Sequence, residues 1–497
     1  MQRSALTAVA VLGIAAGAAA APAHALRAVT ATPTAPTALH DCRLRHPLGL
    51  YSLPARCGRF EVPLDHAARG GRRIALRYAI VPPIERQTAA APLFVLAGGP
   101  GQSATDLYAS AAAAFAAIHR SHAIVLLDQR GTGGSQPQDC AYPQDFTRGA
   151  AALAEITAAT RSCLAKLGPD VRFYTTEEAV ADLDALRRHL GYARVDLYGA
   201  SYGTRVAIEY LRLHGAAVHA AILDGVVDPT QPLGPTTPLD GQRALDLIVA
   251  RCAETRDCAT RFAELPRDLT TLRQRFGPDT VEVSLDDPTD GEPLTVPFSR
   301  DLLAAALRLM SYDGRSAALL PLFIHEGAKG RLQPLAAQAL LTVRRVEGQI
   351  AIGMQNSVVC SEDEPFFPAD VDSPAVEASY LGSEQLDALR RICAIWPRGP
   401  VDPLLHAPLR SDVPTLLLAG EDDPVTPPAW ARAVAAGLSR HRLLVLAGEG
   451  HGQLATGCVP KLMADFLRLE EPERIDVRCL STHRPVPFFL APTGPGP

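Results

Sequence analysis

The sequence Arg194-Val-Asp-Leu-Tyr-Gly-Ala-Ser201-Tyr-Gly203 determines how the rest of the chain is interpreted. Residues 194–198 have the pattern of a strand, and residues 204–214 have apolar side chains at helical spacing. Ser201 would then stand in the tight turn between them, within a G-x-S-x-G motif. Such a turn is typical of a serine nucleophile, because it leaves no room for side chains at the two glycines. The alternative is a glycine-rich turn without chemistry.

Other segments along the chain also have strand patterns, and most of them end in turns rich in Gly or Asp. They lie at residues 73–81, 93–96, 123–127, 220–223, 415–418 and 443–446. Continuous apolar strands are typical of a sheet that is covered on both faces. Helical patterns alternate with these strands, at residues 175–190, 428–438 and 460–469. The alternation predicts an α/β fold with a doubly wound, mostly parallel sheet.

The alternation of strands and helices stops between about residues 229 and 413, where the pattern is largely helical. Residues 280–298 have the pattern of a short hairpin. We interpret this region as a mainly helical cap that is inserted into the sheet domain. The predicted organisation is a signal peptide (1–25), a flexible lead-in (26–41), the first part of the core (42–228), the cap (229–413) and the second part of the core (414–497).

The first 25 residues have the pattern of a secretory signal peptide. Arg3 supplies a positive charge, residues 5–22 are mostly Ala, Val, Leu and Gly, and Ala23-His24-Ala25 is a small-x-small cleavage signal. A membrane anchor is the alternative, but the apolar run is rich in alanine and only marginally hydrophobic. We therefore expect an exported protein, periplasmic or secreted, with no stable membrane association after the segment is removed.

The chain has ten cysteines, an even number that suggests disulfides in an oxidising compartment. Spacing alone permits several connectivities, and we predict that each cysteine pairs with its neighbour in the sequence. No cysteines have C-x-x-C spacing, and no His/Cys cluster has zinc-site spacing, so we expect no metal. The predicted pairs are Cys42–Cys57, Cys140–Cys163, Cys252–Cys258, Cys360–Cys393 and Cys458–Cys479.

The composition of the chain argues for a folded protein and against one class of partner. Hydrophobic residues make up 47% of the chain and charged residues 20%, which is enough apolar surface for a sizeable core. The formal net charge is −5, and no block rich in Lys or Arg is present. We therefore expect no nucleic-acid partner.

A serine hydroxyl becomes a nucleophile when a neighbouring base, oriented by an acid, takes its proton. In hydrolases built around such a turn, the acid and then the histidine follow the serine in the sequence. Asp423 and His451 each follow a predicted strand in that order. Asp422 is the alternative acid, and we prefer Asp423 because it directly precedes the Pro-Val-Thr-Pro turn. Alone, each residue could be an ordinary loop residue, but their joint placement predicts a triad with Ser201.

Acyl transfer also requires backbone N–H groups that face the oxyanion of the transition state. One donor is expected from Tyr202, the residue after the nucleophile. The other is expected from the Gly98-Gly99-Pro100-Gly101 loop, where the absence of side chains lets the backbone approach the substrate. Gly98 and Gly99 are both candidates, and Gly99 is the one that we assign.

Four motifs stand out together: Gly98-Gly-Pro-Gly101, Asp128-Gln-Arg-Gly-Thr-Gly-Gly-Ser135, Gly199-Ala-Ser-Tyr-Gly203 and Asp423-Pro-Val-Thr-Pro427. In combination they resemble the proline iminopeptidase and tripeptidyl-aminopeptidase group of α/β-hydrolases, from about Cys42 to Cys479. The resemblance implies that Ser201 is the nucleophile, Asp423 the orienting acid and His451 the base. The chain departs from it at Ala97, where many proline iminopeptidases carry a histidine.

An aminopeptidase must also hold the charged amine of its substrate, and carboxylates can do so through charge-assisted hydrogen bonds. The strongest acidic cluster in the predicted cap is Cys360-Ser-Glu362-Asp363-Glu364. It resembles a Cys-x-x-Asp stretch in tripeptidyl-aminopeptidase relatives. We therefore predict that Glu362 and Asp363 bind the substrate amine, with a solvated acidic loop as the alternative.

Together these patterns predict an exported serine aminopeptidase, of prolyl or tripeptidyl type, that acts on short peptides with a free amino end. The chemistry requires no metal and no organic cofactor. An esterase or another acyl hydrolase is the first alternative, because the same fold and triad serve both reactions. A catalytically silent binding protein is the second alternative, and the intact triad pattern argues against it.

Overall fold

The structure, a computed structural model, describes residues 39–68, 70–85, 90–140, 142, 149–276, 280–346 and 348–494. The predicted signal peptide lies outside the described residues, as does the lead-in up to residue 38. The strands are β1 (His40–Arg45), β2 (Ser52–Pro63), β3 (Arg73–Val81), β4 (Leu93–Leu96), β5 (Ile124–Leu127), β6 (Val195–Ala200), β7 (Val218–Asp224), β8 (Val281–Asp286), β9 (Pro293–Phe298), β10 (Thr415–Gly420) and β11 (His441–Leu446).

Nine of these strands form one sheet, in the order β1-β2-β3-β5-β4-β6-β7-β10-β11. From β5 through β4, β6, β7 and β10 to β11, neighbouring strands pair in parallel. At the other edge β1, β2 and β3 pair antiparallel, and β3 pairs antiparallel with β5. The prediction of an α/β fold with a mostly parallel sheet is therefore confirmed.

Helices cover both faces of this sheet. Leu416 of β10 packs in one apolar cluster with Phe466 of the last helix, whereas its neighbour Leu417 packs in another with Val206. The helices are α1 (Ala104–Ala111), α2 (Ala116–His119), α3 (Gly149–Leu167), α4 (Thr176–His189), α5 (Tyr202–His214), α6 (Thr237–Glu254), α7 (Arg256–Arg261), α8 (Leu265–Arg275), α9 (Arg300–Met310), α10 (Gly314–Ala317), α11 (Leu320–Ala328), α12 (Gln333–Val346), α13 (Ile352–Val358), α14 (Pro374–Ala378), α15 (Glu384–Cys393), α16 (Pro428–Ala435) and α17 (Val459–Leu469).

The chain between β7 and β10 contains α6 to α15 and a separate two-stranded sheet. Strands β8 and β9 pair antiparallel there, which confirms the hairpin predicted at 280–298. Phe298 and Leu307 belong to a third apolar cluster, distinct from the two on the large sheet. Met354 of α13 instead packs in the same cluster as β10 and α5. Part of the predicted cap thus lies against the sheet, and its boundaries at 229 and 413 stay a prediction.

The predicted disulfide pairing is confirmed at every cysteine. The five bridges join cysteines whose Cα atoms lie 4.9 to 6.4 Å apart, within the ordinary range. The bridge Cys360–Cys393 ties α15 to the turn that carries Glu362, and it packs beside the buried Trp396. Among the described helices, none is both long and apolar enough to cross a membrane.

Candidate active site

Ser201 stands in a sharp turn at the carboxyl end of a central strand. It follows β6 directly and precedes α5, and its backbone has φ +55° and ψ −123°, a conformation that L-residues rarely adopt. A side-chain carbon at Gly199 would lie 2.5 Å from the Gly203 carbonyl oxygen, and one at Gly203 would overlap the Leu96 carbonyl oxygen. The turn therefore has the strained geometry of a nucleophile elbow, and the close backbone contacts require both glycines.

Asp423 and His451 are hydrogen-bonded to each other at the carboxyl ends of neighbouring strands. Asp423 Oδ2 lies 2.8 Å from His451 Nδ1. The other carboxylate oxygen accepts hydrogen bonds from the backbone N–H groups of Val425 (2.8 Å) and Thr426 (2.9 Å). The Thr426 hydroxyl also donates to Asp423 Oδ2 at 2.8 Å. With Nδ1 facing a carboxylate, the imidazole carries its proton there and leaves Nε2 as the basic nitrogen.

The second candidate acid, Asp422, has a different partner. Its carboxylate is ion-paired with Arg251 of α6, and its backbone N–H donates to the Glu449 carbonyl at 2.9 Å. Of the two neighbouring aspartates, Asp423 is the one that faces the imidazole of His451.

Each member of the Asp423–His451 pair stabilises the charged form of the other. Burial acts to raise the pKa of Asp423, but His451 and the hydrogen bonds from Thr426 and Val425 hold it below its ordinary value. Burial acts to lower the pKa of His451, but the charge and hydrogen bond of Asp423 and the charge of Asp224 raise it above 6.5. A histidine with this environment can accept a proton near neutral pH and stabilise the charge that it gains.

Ser201 and His451 both approach the same short stretch of backbone, Asp224-Gly225 at the end of β7. The Ser201 N–H donates to the Asp224 carbonyl at 2.8 Å, and a side-chain carbon at the next residue, Gly225, would lie 3.0 Å from His451 Cε1. Within the described residues, the Ser201 hydroxyl and His451 share no hydrogen bond. In unliganded enzymes this bond is often long and shortens when substrate is bound.

The chain between β7 and β10 holds both loops in place. Arg243 of α6 donates to the backbone carbonyls of Glu421 (2.9 Å) and Asp423 (2.5 Å). The His451 N–H donates to the Tyr312 carbonyl at 2.8 Å, and the two rings lie edge to face with centroids 5.2 Å apart. The positions of the acid and the histidine therefore depend on the chain between β7 and β10 as well as on the sheet.

The glycine loop after β4 lies against the nucleophile. A side-chain carbon at Gly98 would lie 3.1 Å from Ser201 Cβ, so the close approach requires glycine. The Gly98 N–H already donates to Gln102 Oε1 at 3.2 Å, whereas the Gly99 N–H donates to no residue in the described part of the chain. The backbone N–H of Gly99 is thus available to donate to an oxyanion, as the assigned residue would need.

Tyr202 begins α5 directly after the nucleophile, and its side chain is buried beneath the site. The phenol lies 2.8 Å from Thr176 Oγ1 and accepts from Gln129 Nε2 at 3.2 Å. Burial raises the pKa of the phenol well above its ordinary value, so the group stays neutral. These contacts fix the residue whose backbone N–H is the other expected oxyanion donor.

The predicted amine-binding residues, Glu362 and Asp363, are both buried and both have protein partners. Asp363 forms a bidentate pair with Arg205 (2.8 and 3.1 Å) and also accepts from the Leu233 N–H at 2.7 Å. Glu362 accepts from the backbone N–H (2.6 Å) and the hydroxyl (2.7 Å) of Thr176. Burial raises the pKa of Glu362 to about 7. Their binding of a substrate amine stays a prediction.

Sequence reasoning did not find the residues that support these groups. Arg205, Thr176, Asp224 and Arg243 were not predicted, although each contacts a candidate site residue. Arg205 had a readable signal, because it is a basic residue in the otherwise apolar start of the elbow helix and therefore needs a buried carboxylate. In the residues that the structure describes, no cluster of His, Cys, Asp and Glu could hold a metal ion.

Two family models match the chain. The model of the α/β hydrolase fold matches residues 91–276, which include the elbow, and a model described as TAP-like protein matches residues 378–479, which include Asp423 and His451. Together they cover both of the segments that supply the candidate site.

Several curated proteins are similar to the chain. Serine protease Hip1 of Mycobacterium tuberculosis is 25% identical over 86% of this chain and 87% of its own length. Tripeptidyl aminopeptidase of Streptomyces coelicolor is 30% identical over 36% of both chains. The probable proline iminopeptidase of the same species is 30% identical over 41% of this chain and 54% of its own. The chain therefore has the α/β-hydrolase fold and is similar to TAP-like proteins and to serine peptidases of that fold.

Proposed function

We propose that the chain is an exported serine aminopeptidase that cleaves short peptides near their amino ends through an acyl-enzyme. The observation that carries this proposal is the Asp423–His451 pair, which lies beside the strained Ser201 elbow in the order that such hydrolases require. Each of the three residues follows a parallel strand of the same sheet, where polar groups converge on one crevice.

In the proposed reaction the Ser201 oxygen attacks the scissile carbonyl while His451 Nε2 takes the hydroxyl proton. Asp423 keeps the imidazole oriented and stabilises its charged form. The backbone N–H groups of Tyr202 and Gly99 donate to the oxyanion. The C–N bond then breaks, and the leaving amine receives the proton from His451. Water, activated by the same histidine, hydrolyses the ester on Ser201 and restores the hydroxyl.

The choice of peptides as substrates rests on the relatives. Hip1 is named a serine protease, and the two Streptomyces coelicolor relatives are named a tripeptidyl aminopeptidase and a probable proline iminopeptidase. A free amino end is the feature that the names of the latter two share. The geometry of the site supports acyl transfer and is compatible with both amide and ester substrates.

Export is proposed from two features that agree. The first 25 residues have the pattern of a signal peptide. The structure contains five disulfides and no free cysteine among the described residues, as is usual in oxidising compartments. Expression of the full chain followed by fractionation tests the proposal, since a mature protein that begins after Ala25 outside the cytoplasm is expected.

The experiment that tests the activity is a panel of aminoacyl, dipeptidyl and tripeptidyl p-nitroanilides, each free and N-acetylated, together with simple p-nitrophenyl esters. We expect the free-amine anilides to be hydrolysed and Ser201→Ala to remove that activity. Ser110→Ala, at an exposed serine of α1, is the matched control and should leave it unchanged. Activity that survives in Ser201→Ala would rule out the proposed nucleophile.

Glu362→Gln tests the predicted amine anchor separately. The glutamine oxygen can still accept from the Thr176 N–H, and its NH₂ group can donate to the Thr176 hydroxyl oxygen. The negative charge is lost. If Glu362 binds the amine, this variant loses turnover of free-amine substrates and keeps turnover of N-acetylated ones. An equal effect on both kinds of substrate would remove Glu362 from the proposal.

One observation favours the second candidate, an esterase or other acyl hydrolase. Both predicted amine anchors already have protein partners, Asp363 with Arg205 and Glu362 with Thr176. Carboxylates that are already hydrogen-bonded in this way have fewer lone pairs left for a substrate amine. In the same panel, this alternative predicts that esters and N-acetylated substrates are hydrolysed as well as free-amine anilides.

A further inference from the structure

A second buried carboxylate, Asp224, lies close to His451 and has no part in the proposed reaction. It is the last residue of β7 and is 1% exposed. The strand stands between β6, which leads to Ser201, and β10, which leads to Asp423. Asp224 therefore occupies the point of the sheet where the segments that carry the candidate triad meet.

The backbone of Asp224 is joined to the nucleophile elbow. Its carbonyl accepts the hydrogen bond from the Ser201 N–H at 2.8 Å, and it pairs with Ala200 in the ladder between β6 and β7. On the other side it is paired with Leu418 of β10. Any shift of Asp224 would therefore move Ser201 relative to the acid loop.

The side chain of Asp224 is joined to the histidine loop. Its Oδ1 accepts from the Gln453 N–H at 2.7 Å, two residues after His451, and the Leu454 N–H is also bonded to the carboxylate. Its Oδ2 accepts from the Tyr198 hydroxyl of β6 at 2.9 Å. Asp224 thus joins the elbow to the histidine loop: its backbone contacts the elbow, and its carboxylate contacts the loop.

Within the described part of the chain, the hydrogen-bond donors to this carboxylate are all neutral. Burying a carboxylate with neutral donors alone is costly, and a nearby cation reduces the cost. The group that can supply a positive charge is His451 when it is protonated, and the charge of Asp224 in turn raises the pKa of that histidine. Burial raises the pKa of Asp224 itself to about 6.

We propose that Asp224 is a positioning residue for the candidate triad, which holds the His451 loop against the Ser201 elbow and stabilises the protonated imidazole through its charge. The inference rests on the proposed function, because it assigns a role relative to the proposed base and nucleophile. Asp423 orients the imidazole through Nδ1, whereas Asp224 acts through the backbone of the loop and through space.

Among the described residues, the charged and titratable groups that face the imidazole come from four parts of the chain. Asp423 follows β10 and Asp224 ends β7, and both raise the pKa of His451. Arg308 of α9 acts in the opposite direction. The Tyr312 ring packs against the imidazole, and burial keeps that phenol neutral. Removal of one of the two carboxylates should therefore leave the histidine with a lower pKa.

Asp224→Asn separates the charge from the hydrogen bonds. The asparagine oxygen can accept from the Gln453 N–H, and its amide can donate to the Tyr198 oxygen, so the loop keeps its contacts. Asp224→Ala removes both the charge and the contacts. Asp196→Asn is the matched control, because Asp196 is an equally buried aspartate near the start of β6, about 16 Å along the strand from Ser201.

The readout is the rate of covalent modification by a fluorophosphonate between pH 5 and 9. The Ser201 oxygen attacks phosphorus, the P–F bond breaks, fluoride leaves, and His451 takes the hydroxyl proton. The rate therefore follows the neutral form of His451 without any assumption about the natural substrate. When the folded fraction is the same across this pH range, the pH midpoint of the acid limb does not depend on it, so a partly unfolded variant still gives a result.

We expect the acid-limb midpoint of Asp224→Asn to fall by about half a pH unit or more, because the imidazolium loses a facing negative charge. The plateau rate should fall about three- to tenfold in Asp224→Asn and at least another tenfold in Asp224→Ala, with the Asp196→Asn midpoint unchanged. A midpoint that stays at the wild-type value, or moves equally in Asp196→Asn, would overturn the charge role. Equal plateau rates in the two Asp224 variants would overturn the positioning role.

The test also separates this inference from the proposed function. If the wild-type protein is not modified, or if Ser201→Ala is modified at the same rate, the candidate triad itself is wrong. If the wild-type protein is modified at Ser201 and the Asp224 variants behave like it, the triad stands and the role of Asp224 is wrong.

Discussion

The Asp423–His451 pair and the Asp363–Arg205 pair are alike in geometry and differ in chemistry. In each, a fully buried carboxylate lies 2.8 Å from a nitrogen of a basic side chain. The carboxylate also accepts hydrogen bonds from backbone N–H groups. An imidazole can lose its proton near neutral pH, whereas a guanidinium cannot. The first pair can therefore take part in proton transfer, and the second is a fixed structural ion pair.

The two pairs also differ in what surrounds them. The Asp423 and His451 loops follow parallel strands and meet at the carboxyl edge of the sheet beside Ser201. Asp363 lies in an irregular helical turn, Val359–Asp363, that packs on the elbow helix from the side of the inserted region. Burial and pairing of a carboxylate therefore do not by themselves identify a catalytic acid, because its partner must also be able to change charge.

The largest effect is expected when the first pair is broken. Asp423→Asn should keep the hydrogen bonds from the Val425 and Thr426 N–H groups, so the loop should stay folded. It should lower kcat/KM for the best anilide or ester by about a thousand- to ten-thousand-fold, because the imidazole loses its orienting acid. Steady-state kinetics measure this, with Asp422→Asn as the neighbouring control. A loss of less than about tenfold would mean that Asp423 is not the triad acid.

Breaking the second pair should affect stability most. Asp363→Asn leaves the buried Arg205 without its bidentate partner, and we expect the free energy of unfolding to fall by about 3–5 kcal/mol. Asp372→Asn is the control, since Asp372 forms a bidentate pair with Arg390 at the surface and should cost about 1 kcal/mol or less. Chemical denaturation measures both. Equal losses in the two variants would contradict the account of Arg205.

The titration of His451 in the Asp423–His451 pair should appear in the pH dependence of kcat/KM. Because the pKa of His451 is raised and the neutral imidazole is the base, kcat/KM should fall about tenfold per pH unit below a midpoint above 6.5. Asp423→Asn should move that midpoint down, since the imidazolium loses its main counter-charge. An acid limb centred well below 6.5 in the wild-type enzyme would contradict the assigned electrostatics.

The smallest effect is expected at Glu362, which lies 3.7 Å from Arg205 and accepts no hydrogen bond from it. The folded-state pKa of Glu362 is raised from 4.5 to about 7 by burial, so its contribution to stability is lost as the pH rises through that window. Glu362→Gln does not ionise, and its stability relative to the wild type should increase from pH 4.5 to 7. Thermal unfolding across that range measures the difference. A constant difference would show that Glu362 has an ordinary pKa.

Most of the fold could be predicted from the sequence because its signals are local. A continuous apolar run such as Leu93–Leu96 and the strand-turn-helix pattern around Ser201 are each contained within a few residues. The disulfides also followed sequence order, so Cys42 and Cys57 could be paired by proximity alone. The order of Asp423 and His451 after Ser201 predicted which side chains the strand ends bring together.

The environment of Glu362 and Asp363 could not be predicted in the same way. Their partners, Thr176 and Arg205, lie 186 and 158 residues away in the sequence. From the sequence the acidic cluster is interpreted as an amine-binding site, with a solvated loop as the alternative, because a run of carboxylates is usually solvated. Only the three-dimensional packing of α13 and the following turn against α5 shows that these charges are buried and paired.

Ser201 is expected to form an acyl-enzyme with His451 as its base. The most direct measurement is peptide mapping by mass spectrometry after the protein is quenched with acid during turnover of a p-nitrophenyl ester. The account predicts an added acyl mass on the peptide that contains Ser201 in the wild-type protein, and none in Ser201→Ala. Acylation of another residue, or hydrolysis at the wild-type rate in Ser201→Ala, would contradict it.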